Sequence, residues 1–237
     1  MQLCDVAEAL LEGNEGIPLA SEERFAALGD AGVLTTVSDA SGEDGVGGYA
    51  FHPAAPGVVW LLADEWPPDV REALAVAAMR RAERPAGAAA CSMPLAELFG
   101  PWALAAAVCV AWPTRAVISI VDCAPAAAAL TAATSAGAQL RELVRAARGT
   151  AQQWLAVAVP REANIDADIL SHPARWEEVR AAAELGGLRV MRVHAPAECW
   201  RALRAAIQLP MGREAEGWRE AGELTATGGR RRRRGAG

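Results

Sequence analysis

"TTVSDASGEDGVGGYAF", residues 35–51, ends an extended apolar run on one carboxylate, Asp39, and then passes Gly45, Gly47 and Gly48 before Tyr49 and Phe51. The run it closes, "AGVLTTVSD", is rich in β-branched residues and reads as a strand. Downstream, "GVGGYAFHP" and "GVVWLLAD" read as two more strands, separated by the turn "PAAPG". Three short consecutive strands predict an antiparallel meander. Taken alone, Asp39 is what a turn residue ahead of Ser41-Gly42 looks like.

Beyond the meander the period changes. "PDVREALAVAAMRRAER", from Pro68 to Arg84, is helical, with Pro68 tolerable in a first turn. The loop "PAGAAACS" precedes a second helix, "MPLAELFGPWALAAAVCVAW". "RAVISIVD" is a continuous apolar run ending in an acid, the signature of a strand buried on both faces. Helices follow at about 124–134 and 137–148. "AQQWLAVAVP" then reads as another buried strand, and "NIDADILSHP" opens a helix that runs into "ARWEEVRAAAELGG". "LRVMRVHAPAECWRALRAAI" reads as one more strand and helix. The prediction is an α/β fold: a mixed five-stranded sheet, three antiparallel strands then parallel ones, flanked by helices, with a small C-terminal strand-helix extension. In segments, residues 1–30 form a helical lead-in with helices at 5–12 and 21–29, and residues 31–172 form the α/β domain. Residues 173–212 form the extension, and 213–237 a disordered Arg-rich tail.

The 237 residues, 52% hydrophobic, suffice for one principal core. The longest apolar stretch, Trp102 to Trp112, is Ala-rich and bounded by Pro101 and Pro113, too short for a membrane span. The acidic start "MQLCDVAEALLEGNEG" lacks the basic opening of a signal peptide, so an intracellular location, cytoplasmic or nuclear, is expected. Five cysteines with no CxxC argue against a disulfide framework or zinc site. The net charge is −6, or −11 over residues 1–229 once Arg230 to Arg234 are set aside, so this is not a basic nucleic-acid binder of the kind charge alone would mark. The acid excess reads as ordinary solubility or as a site whose carboxylates need metal.

The predicted order gives the acids places. Asp39 ends the first strand, Glu97 lies early in the helix after the meander, Asp122 ends the next buried strand, and Asp168 lies early in the last core helix. Ends of adjacent central strands, with a helix crossing above, meet at one edge of a sheet. Each acid also has a plain reading: a turn residue for Asp39, a helix-dipole partner for Glu97. Asp122 is harder to explain away, because a carboxylate after "VISIV" is costly unless paired or exposed. Asp166 competes with Asp168.

In order and spacing, "VSDASGEDGVGGYAF", "MPLAELFGPWAL", "ISIVDCAPAAAAL" and "VPREANIDADILSHP" resemble the ribonuclease H domain of retroelement (reverse-transcribing element) polyproteins, over about residues 32–172. The last motif is the most specific, matching in Asn164, Ala167, Asp168, Leu170 and Ser171, and its register picks Asp168 over Asp166. The resemblance implies an RNase H-like fold and Mg²⁺-dependent, two-metal cleavage of the RNA strand of RNA–DNA hybrids. Two ions roughly 4 Å apart need several hard anionic ligands. By resemblance Asp39 bridges both ions, Glu97 and Asp122 hold the leaving-group ion, Asp168 holds the nucleophile-side ion, and Mn²⁺ substitutes for Mg²⁺. Clustered carboxylates repel and hold protons more tightly without metal, so ion binding is expected to stabilise the fold. The expected partners are an RNA–DNA hybrid and a reverse transcriptase domain on a longer polyprotein, of which this chain reads as a detached fragment. No membrane partner is expected. The alternative is a catalytically inactive RNase H-like remnant or tether that binds nucleic acid or protein.

Several features stay open at this level. Ser41, Gly42 and Asn164 are candidate nucleic-acid contacts, with Ser41 and Asn164 donating to phosphate or 2′-OH groups; both also suit turn or helix caps. Gly45, Gly47 and Gly48 form a hairpin bend or let a nucleic-acid strand approach the backbone; no helix follows them, so a nucleotide-loop fingerprint fails. His172 shares a helical face with Asp168 if that helix persists. Pro101 removes the N–H owed to the Glu97 carbonyl, and the resulting kink either splays Glu97 from the site or aims it. The tryptophans read mainly as core. The five-arginine tail binds phosphates weakly and without sequence preference, or merely reflects biased composition.

Overall fold

A computed structural model describes residues 32–211 apart from Arg80, Thr134 and Ala136. The expected helices at 5–12 and 21–29 and the Arg-rich tail lie outside the described residues. The meander forms as read: β1 (Val33–Ala40), β2 (Gly45–Phe51) and β3 (Val58–Glu65) pair antiparallel in sequence order. Helices α1 (Pro68–Ala78) and α2 (Met93–Cys109) follow, then β4 (Ala116–Val121), α3 (Ala124–Ala132), α4 (Ala138–Ala147) and β5 (Gln153–Ala158). The chain continues through α5 (Ile165–Leu170), α6 (Trp176–Leu185), β6 (Arg189–Val193) and α7 (Ala197–Ile207). The sheet order is β5-β4-β1-β2-β3-β6, with β4, β5 and β6 joining in parallel. This mixed α/β sheet agrees with an RNase H-like architecture.

Alternation along the strands sorts side chains to two covered faces, as the two-residue period of a pleated strand requires. Trp60 and Leu62 of β3 join the larger core with α2, α3, α4 and α7. Val59, Leu61 and Ala63 join Val37, Tyr49, Ala167, Leu170 and Val179 beneath α5 and α6. Helix α2 is apolar nearly all round and correspondingly buried along most of its length. Trp60, Trp66 and Trp102 are core residues. Rings of Trp66, Phe99 and Trp200 lie 4.5–6.0 Å apart and join α2 to α7.

Four expectations are corrected. The C-terminal strand is a sixth strand of the same sheet, because β6 pairs in parallel along the β3 edge. Asp64 of β3 secures that junction, accepting the Ala195 N–H at 2.7 Å and pairing with His194 Nδ1 at 2.6 Å. Strand β5 is half-buried rather than buried on both faces, since it is the opposite edge. The first helix stops at Ala78, short of Arg84, and a separate 3₁₀ turn spans Arg81–Glu83. The helix from Ile165 ends at Leu170 and does not run into the next, because Pro173 offers no N–H and restricts His172.

Gly45, Gly47 and Gly48 lie inside β2, whereas the turn itself is formed by Ser41–Asp44. What approaches is helix backbone. A Cβ on Gly47 would sit 2.0 Å from the Leu170 carbonyl carbon, and one on Gly100 of α2 would meet Ser38 Oγ at 3.1 Å on the other face. Both helices therefore settle close on the β1–β2 pair, one from each side.

Candidate metal centre

Strands β1 and β4 are parallel neighbours in the register Val37↔Ile120. Two residues further along each strand come Asp39 and Asp122, so sheet geometry alone sets them side by side at one end. Glu97 arrives from α2, three residues before the close contact at Gly100 and on nearly the same helical face. Carboxylate oxygens of Asp39, Glu97 and Asp122 all lie within 4.8 Å of one another. Helix α2 runs unbroken through Pro101, and Glu97 is aimed into the cluster rather than splayed from it.

Asp39 and Glu97 are each only 4% exposed. Burial, then repulsion from Asp122, pushes the Asp39 carboxyl up to about 6. Burial likewise pushes Glu97 well above the ordinary carboxylate range, with Asp39 and Asp122 adding to the rise and the Ala40 N–H opposing it. Asp122 is raised mainly by burial, with the Arg161 charge opposing. Glu97 Oε2 is buried with no hydrogen-bond partner. An orphaned carboxylate oxygen on a side chain that clusters with two other carboxyl groups is unfavourable as it stands, and a hard divalent cation is the ligand that would satisfy it. The three residues therefore fit a metal ion in donor type, spacing and unmet bonding.

Asp168 stands at the margin. It is ion-paired with Arg161, which lies on the 3₁₀ turn Arg161–Ala163 between β5 and α5. Its charge nonetheless acts on both Asp39 and Asp122. Asp166 instead bears on Tyr49, away from the trio. Ser171, fully buried, has its hydroxyl 2.8 Å from the Asp168 carbonyl and within bonding reach of the Asp39 carboxylate.

Three further expectations meet a different arrangement. Asn164 is 2% exposed, and its Nδ2 donates to the Ser38 carbonyl at 3.0 Å, so it holds the start of α5 to β1 and does not present itself to a ligand. Nor does its side chain cap α5. Ser41 Oγ accepts the backbone N–H groups of Glu43 (3.3 Å) and Asp44 (3.1 Å), which makes it a turn cap beside the exposed Gly42. His172 lies past the end of α5, and its Nδ1 is 2.5 Å from Asp44 Oδ2.

Arg161 is the residue that sequence reading missed. Its charge reaches Asp39, Glu97 and Asp122 as well as Asp168. The signal was present: it is the sole cation in the short connection "PREAN" ahead of the acidic helix. Among the described residues no helix is long and apolar enough to cross a membrane. No family model matches this chain, and comparisons with curated proteins and with solved structures likewise return no match.

Proposed function

We propose that this chain is a Mg²⁺-dependent endonuclease of the ribonuclease H type that cuts the RNA strand of RNA–DNA hybrids, such as a reverse transcriptase domain produces. The observation that carries the reading is the convergence of Asp39, Glu97 and Asp122 from three separate elements, with the buried Glu97 Oε2 left without a partner. Asp39, Glu97 and Asp122 would hold one ion, and Asp39 with Asp168 the second. Bound there, the ions supply an activated water and charge stabilisation at the leaving 3′ oxygen.

The remaining residues position and admit. Asn164 fixes the start of α5 to Ser38, and Gly47 lets that helix come down on β2, so Asp168 is delivered to the strand that carries Asp39. The exposed turn at Gly42 gives the substrate strand an unobstructed backbone, and the Ser41 hydroxyl retains its proton for donation to a phosphate oxygen. A second reading, an inactive RNase H-like module that binds nucleic acid or protein, draws support from the Arg161–Asp168 pair, which already neutralises one of the four acids.

A cleavage assay on a labelled RNA–DNA hybrid in Mg²⁺ separates the two. Wild-type protein is expected to cut, and Asp39→Asn and Asp122→Asn each to lose about a thousandfold, corresponding to ~4 kcal/mol of barrier. Cleavage that survives both substitutions excludes this mechanism; wild-type protein that binds hybrid without cutting it establishes the second reading.

A further inference from the structure

Asp168 is the one acid of the four already holding a cation. Its partner, the Arg161 guanidinium, is tethered seven residues away on the turn that leads into α5, and the Arg161 side chain is 71% exposed, so little packing fixes it in place. The Asp39, Glu97 and Asp122 cluster has no such partner among the described arginines, though it feels the Arg161 charge. Arg175, the other arginine whose charge bears on Asp168, is tied to Glu178 by two bonds of 2.8 and 2.9 Å. Asp168 and Arg161 are thus a closed pair at the mouth of an acid cluster that lacks one positive charge. Any divalent ion that uses Asp168 must either displace the guanidinium from Oδ1 or share the carboxylate with it.

We propose that Arg161 is a built-in counter-ion that competes with divalent cation for Asp168, so that the free protein takes one ion readily at Asp39, Glu97 and Asp122 and a second only when Arg161 is drawn away. The inference rests on the metal-centre reading above. The phosphate of a bound strand is the natural lure for a planar guanidinium, because its anionic oxygens are charge-assisted acceptors like the carboxylate oxygen it leaves. Arg161 would then exchange Asp168 for substrate, coupling the two events.

The test is ion counting in the absence of substrate, by Mn²⁺ electron paramagnetic resonance with calorimetric titration, on wild type, R161Q, R161K, D168N and R161Q/D168N. An exposed ion pair is a weak competitor, and removal of a nearby positive charge adds to its loss, so the second ion is expected to bind R161Q about tenfold more tightly than wild type. R161K keeps the charge and is expected to track wild type. D168N in the R161Q background is expected to erase the gain. R161Q matching wild type at both ions overturns the role of Arg161 while leaving the metal centre intact, as does R161K behaving like R161Q. Failure of both wild type and R161Q to bind Mn²⁺ overturns the metal centre itself and this inference with it.

Discussion

In metal-free buffer at pH 7.5, Asp39→Asn is expected to melt above the wild-type protein. The folded-state Asp39 carboxyl is raised from 3.8 to about 6, chiefly because burial penalises the charged form. Between those values the folded chain holds a proton that the unfolded chain has released, so stability falls as pH rises through the window and stays low above it. A shift of roughly two units is worth ~3 kcal/mol, a cost the neutral amide escapes. For a chain of this size that corresponds to roughly 6–12 °C in Tm. Glu97 is raised in the same direction and for the same reason, so the wild-type decline extends above the Asp39 window. Near pH 3, below both values, where the carboxyl is protonated in the folded and the unfolded chain alike, the two proteins should nearly coincide. Millimolar Mg²⁺ at pH 7.5 should reverse the order, since it binds the folded carboxylates and the amide supplies no charge. Scanning calorimetry at both pH values, with and without Mg²⁺, checks each limb. An asparagine variant less stable than wild type in the absence of metal contradicts the account of the crowded acids.

Gly47→Ala is expected to lose about 4 kcal/mol, at the diagnostic end of single-substitution effects. The new methyl group would lie 2.0 Å from the Leu170 carbonyl carbon and 2.3 Å from the Ser171 nitrogen, both backbone atoms that no rotamer change can remove. Helix α5 must lift from β2, taking with it Leu170, Ser171 and Asp168. Gly42→Ala is the control, for there the nearest atom is the flexible Met93 Sδ at 3.8 Å, and a change within about 0.5 kcal/mol is expected. Urea denaturation of both variants checks the pair. A Gly47→Ala protein within about 1 kcal/mol of wild type would mean that close seating of α5 is not what places Asp168.

What could be read from the sequence follows from which interactions are local. The three meander strands and β4 declared themselves by β-branched runs and turn residues within a few positions of each other, and their ends located Asp39 and Asp122. Glu97 was legible only as an early residue of a helix; its arrival at the site depends on Gly100 fitting against Ser38, a contact across 62 positions that periodicity does not encode. The same limit hid the role of Gly47, which looked like turn chemistry because the helix that needs the space is over a hundred residues away. Strand β6 looked like an appendage since nothing local says which edge it will join; its Arg189 and Arg192 suit an exposed edge strand. Asn164 offers hydrogen-bonding groups that suit a ligand, and the fold buries them, with Nδ2 donating to the Ser38 carbonyl. Arg161 escaped notice because an arginine in a loop is ordinary until its neighbours are known to be four acids.

The most direct measurement is the anomalous scattering of a crystal grown in Mn²⁺. The account predicts a peak bounded by the carboxylates of Asp39, Glu97 and Asp122, with Glu97 Oε2 among its ligands. Manganese found solely elsewhere on the surface, with those three carboxyl groups free of any ion, would contradict it.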